Sequence, residues 1–108
     1  MKRDFSTVLM GLGDIAFQDD KGQPLTLGAL SSGVLGTKYQ GDQDLSGDEQ
    51  YKRYLLAERI FAGGQQEVTA EEVTLIKRQI AKACEPRLLG PAYQALELDP
   101  MPAEQAPA

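Results

Sequence analysis

The chain has 108 residues, enough for one domain, and its 42% hydrophobic content suits a buried core while excluding a chain unfolded throughout. Eleven cations stand against sixteen carboxylates for a net charge of −5, a mean field that repels nucleic acid and anionic membranes, so both are disfavoured as partners. There is no histidine, which removes Ser/His/Asp and Cys/His catalysis and the commonest zinc-ligand sets.

Residues 5–10 (Phe-Ser-Thr-Val-Leu-Met) are β-branched and aromatic and read as a strand. Gly11-Leu12-Gly13-Asp14 breaks it, Ile15-Ala16-Phe17 resumes the alternation, and Asp19-Asp20-Lys21-Gly22 is turn chemistry. A hairpin or small three-stranded meander is expected over residues 4–25. Thr26 is a good N-cap, flanked by Leu25 and Leu30 at staple spacing, and Leu27, Leu30, Val34 and Leu35 form one stripe. Gly28, Gly33 and Gly36 weaken this first helix, so packing must hold it, or its glycines admit a close backbone contact.

A polar, acidic loop over residues 39–48 leads to a second helix, where Ser46 and Glu49 make a capping box and Gly63-Gly64 a stop. Tyr51, Tyr54, Leu55, Ile60 and Phe61 are expected on its apolar side. Thr69 and Glu72 make another capping box, with Val68 and Val73 as staple, opening a helix striped by Val73, Ile76, Ile80, Ala83 and Cys84. Glu85-Pro86 ends it. A short final helix is expected from near Pro91, a residue suited to a first turn. Residues 1–98 read as a single α+β domain, an N-terminal hairpin or meander packed on three to four short helices. Residues 99–108, with three prolines, read as a disordered acidic tail.

The candidate sites reduce to structure. Gly11-Leu12-Gly13 lacks the third glycine of a dinucleotide loop, since position 16 is Ala16, and no helix follows. Asp42-Gln43-Asp44-Leu45-Ser46-Gly47 has the oxygens and glycine of a calcium loop, but Arg53 stands where the bidentate Glu belongs. Lone Cys84 lies on an apolar stripe with no evident base. The pairs Asp48/Glu49 and Glu71/Glu72 sit in helical first turns, where acids favour the dipole, and Asp19/Asp20 sits in a turn. No catalytic residue, cofactor or metal ligand set is expected, and no span long and apolar enough to cross a membrane occurs. What remains is protein binding. Tyr51, Arg53, Tyr54 and Arg59 of the second helix combine the residue types that anchor protein interfaces.

Several stretches in order resemble small accessory proteins of tailed bacteriophages: Lys2-Arg3-Asp4-Phe5; Leu25-Thr26-Leu27-Gly28; Tyr51-Lys52-Arg53 with Leu56-Ala57; Val68-Thr69-Ala70-Glu71-Glu72-Val73 through Ile76-Lys77; and Gly90 with Tyr93 and Leu96-Glu97. The resemblance spans most of residues 2–97. It departs at Ser31-Ser32-Gly33, where bulkier apolar residues are expected. It implies a non-enzymatic protein in the cytoplasm of a bacterial host. Its partner would be a phage structural protein during virion morphogenesis, in an assembly-chaperone role, or alternatively a host enzyme or defence complex that it inhibits. A homo-oligomer is compatible with either.

Overall fold

The computed structural model describes residues 1–39 and 41–97; the tail expected over 99–108 lies outside them. In chain order the elements are β1 (Lys2–Asp4), α1 (Leu27–Leu35), α2 (Gly47–Phe61), β2 (Gln65–Glu67), α3 (Ala70–Ala83) and α4 (Pro86–Glu97). The fold class is α+β. Its regular strand pair joins distant parts of the chain: β1 runs antiparallel to β2, with Arg3 opposite Gln66.

The meander expected over residues 4–25 exists as a closed ring of single bridges rather than as regular strands. Leu9 N–H donates to the Leu25 carbonyl (2.9 Å), Leu25 N–H to that of Phe17 (2.8 Å), and Phe17 N–H to that of Leu9 (3.0 Å). An outer set follows the same order: Gly11 to Ile15 (2.7 Å), Asp19 to Gln23 (2.7 Å) and Leu27 to Thr7 (2.8 Å). Each segment divides its bonds between two neighbours, so none can extend a ladder. Asp14 turns one corner at a φ of +59°, and Gly22 another at +77°. Asp-Gly chemistry tolerates such corners.

The N-caps lie where side-chain chemistry puts them. Thr26, Ser46 and Thr69 accept from the N–H groups of Ala29, Glu49 and Glu72, each at 3.1 Å. Only the Thr69 box is reciprocal, with the Glu72 carboxylate accepting from Thr69 N–H at 2.9 Å. The last helix differs from expectation. It begins at Pro86, which takes the first-turn place, and Pro91 falls inside it, removing the bond to the Arg87 carbonyl. Ala92 and Leu96, both wholly buried, anchor that helix through its packing.

α1 is the central element, packed on both α2 and α3. Leu27, Val34 and Leu35 turn from it toward Phe5, Leu56, Ile60, Ile76 and Ile80. A Cβ on Gly28 would lie 2.7 Å from the Ile60 carbonyl oxygen and 2.9 Å from that of Phe5, so only glycine lets α1 cross this closely. Gly33 faces open space. Arg3 is buried, and its Nε donates to the Leu96 carbonyl in the last turn of α4, where a cation suits both the free carbonyls and the dipole.

Candidate protein-binding surface

The face α2 presents to solvent is set by what anchors its other side. Leu56, Ala57 and Ile60 are buried, and the half-buried Arg53 shares their side. Residues on the opposite side of a 3.6-residue turn must point outward. Tyr51 is 61% exposed, Tyr54 58%, Leu55 43% and Phe61 71%. The apolar side expected for this helix is thereby corrected. Of the five residues placed on it, only Ile60 faces the core, and the inward set is completed by Arg53, Leu56 and Ala57.

Arg53 turns inward because a carboxylate waits for it. Asp42, 2% exposed, accepts from Lys82 Nζ at 2.8 Å, from Gln79 Nε2 at 3.1 Å and from Tyr39 N–H at 2.9 Å, and Arg53 Nη1 lies 3.5 Å away. The Lys82 hydrogen bond above all, then the Tyr39 and Gln79 donors, hold the Asp42 carboxyl well below the usual carboxylate range against the opposing effect of burial. This hub fastens the acidic loop to α2 and α3. It also takes the first oxygen of the calcium-like loop out of use, since two cations already serve it. Among the described residues no cluster of three or more His, Cys, Asp or Glu is arranged to hold a metal.

The four residues singled out in the sequence therefore have different surroundings. Tyr51 and Tyr54 share the outward face. Arg59 leans to the α3 side and pairs with Glu72 at 2.7 Å, beside a cleft of about 410 Å³ floored by Leu55, Leu56 and Leu75. Arg53 belongs to the Asp42 hub. Leu55 and Phe61 join the tyrosines instead, and a helical wheel centred on the Leu56–Ile60 side would have found them.

Cys84 is half-buried and packs on the core. Burial pushes its thiol pKa up, opposite to what a nucleophile needs. No helix among the described residues is long and apolar enough to cross a membrane. No protein-family model, curated protein or solved structure matches this chain.

Proposed function

We infer that this protein acts by binding another protein through the outward face of α2 and performs no catalysis of its own. The observation supporting this reading is that Tyr51, Tyr54 and Phe61, three of the chain's seven aromatics, are more than half exposed on one helix, with Leu55 beside them. Tyrosine and phenylalanine supply large contact area for little conformational entropy and are enriched at interface centres. An apolar cluster of this kind on a monomer's surface marks a contact site. Glu58 lies within this face, between Tyr54 and Leu55 around the helix, where the Tyr54 hydroxyl reaches its carboxylate at 3.4 Å, and Arg59 supplies a polar edge.

The resemblance to tailed-phage accessory proteins supplies the setting: an assembly-chaperone-like role that holds a virion protein until it polymerises. Capture from infected cells tests this, comparing the parent with a Tyr51→Ser/Tyr54→Ser variant. Both baits should melt alike, and a phage structural protein should be retained by the parent and lost by the variant. Capture of a bacterial enzyme, dependent on the same tyrosines, would keep the surface but replace assembly by host inhibition. Identical captures by both baits would remove the surface itself.

A further inference from the structure

A second surface lies away from α2, between the ring segment 7–12 and α4. Two adjoining clefts of about 770 and 200 Å³ share Met10, Pro91 and Gln94, forming one groove along the helix. Its walls carry Val8, Met10 and Leu12 from the ring and Pro91 and Ala95 from α4. Val8, Met10 and Leu12 alternate in sequence and are all exposed, Leu12 at 84%. Val8 is bridged to Thr26 and Met10 to Ala16 in the pattern that bonds their neighbours Thr7, Leu9 and Gly11, so their own backbone groups point away from those bridges. The amides and carbonyls of Val8 and Met10 have no hydrogen bond among the described residues. An open strand edge beside a helix wall is a template for strand addition.

We propose that this groove takes up an extended peptide segment from another protein, which adds as a strand to the Val8–Met10 edge and lays alternate apolar side chains against α4. Length and charge select this occupant. From Pro86 to Ala95 the wall runs about 14 Å at the helical rise of 1.5 Å per residue, room for about four extended residues. That footprint falls far short of the roughly 800 Å² per partner that a stable dimer buries, which disfavours a second copy. The rim carries Asp14 and Glu85 against Arg87, so a neutral or basic segment fits. The chain's own final residues, with Asp99 and Glu104 and no cation, are a poor match.

The test is a titration of the isotope-labelled full chain, followed by amide NMR, with an acetylated and amidated hexapeptide alternating valine and lysine. Saturable shifts should centre on Val8, Met10, Leu12, Gln94 and Ala95, and of the two forms of the peptide N-methylated at alternate amides, the one whose methyl groups face the Val8–Met10 edge should produce none. Gly90 lines the groove and a Cβ there meets nothing within 4 Å, so Gly90→Leu should fill the groove without lowering Tm. It should weaken the peptide by about tenfold or more. Tyr51→Ser and Tyr54→Ser should leave the titration unchanged, which keeps this inference separable from the α2 surface. No shifts at millimolar peptide, or shifts that survive with both N-methylated forms or with Gly90→Leu, overturn it. In the free protein the Val8 and Met10 amides should exchange rapidly with solvent. Protection in dilute solution would assign the edge to the chain's own final residues, and protection that grows with concentration would assign it to a second copy; either defeats the proposal.

Discussion

Two glycines on one helix should respond to the same substitution with opposite signs. Alanine at Gly28 or Gly33 brings the same intrinsic gain in helix propensity, about 1 kcal/mol. At Gly33 the new methyl meets nothing within 4 Å, so most of that gain should survive, about 0.5–1 kcal/mol. At Gly28 the methyl would lie 2.7 and 2.9 Å from two backbone oxygens, and neither Ile60 nor Phe5 can swing its carbonyl aside as a flexible side-chain end would. Opening the crossing also lengthens the 2.8 Å bond from Gly28 N–H to the Phe5 carbonyl. Overpacking costs about 1–3 kcal/mol and a weakened hydrogen bond about 1 kcal/mol. After the propensity gain is subtracted, Gly28→Ala should destabilise by about 1–3 kcal/mol. For a domain of this size each kcal/mol moves Tm by roughly 4–8 °C. Thermal and urea unfolding followed by circular dichroism should therefore show Gly28→Ala melting well below the parent and Gly33→Ala a few degrees above it. Equal shifts in the two variants would refute the close crossing, because propensity alone would then account for both.

Ser31 is fully buried with a hydroxyl that finds no partner among the described residues, so Ser31→Ala should be neutral or stabilising by up to about 1 kcal/mol in urea melts. Asp42→Ala strands Lys82 and Arg53 and should cost about 2–3 kcal/mol by the same measurement, moderated because Lys82 remains partly solvated. Since the folded pKa of Asp42 lies below its unfolded value, the hub's contribution is complete above about pH 4 and is lost as pH falls from there toward the folded value. Asp42→Asn should accordingly flatten the acid limb of a stability–pH profile. Thr69→Ala removes one side of a reciprocal capping box and should cost about 1 kcal/mol. Arg59→Ala breaks only a partly exposed pair and should shift stability by less than about 1 kcal/mol in the same assay.

The starts of α1, α2 and α3 were legible because an N-cap is a contact between a side chain and an N–H group three residues away. Thr26, Ser46 and Thr69 therefore carried their information locally. The close contact suspected of the first helix was legible as a type of event, but three glycines were eligible and only the crossing of α1 over Phe5 and Ile60 selects Gly28. The ring over residues 7–27 left a trace in its turns. Its closure depends on Leu9, Phe17 and Leu25 meeting in space, which no pairwise alternation records.

The orientation of α2 was the largest matter left to tertiary structure. Its sequence offers two apolar sides, one through Tyr51, Tyr54, Leu55 and Phe61 and one through Leu56, Ala57 and Ile60. Arg53 lies on the second side and argues against its burial until the Asp42 carboxylate, brought in by the acidic loop and held there by Lys82 of α3, arrives to neutralise it. Composition, charge and capping determined that this is an acidic chain with helices beginning at Thr26, Ser46 and Thr69, because those properties are sums over residues or contacts within one turn. The pairing of residues 2–4 with 65–67, the inward turn of Arg53 and hence the exposure of the tyrosines were decided only in the folded molecule, where groups far apart in sequence determine which burial is affordable.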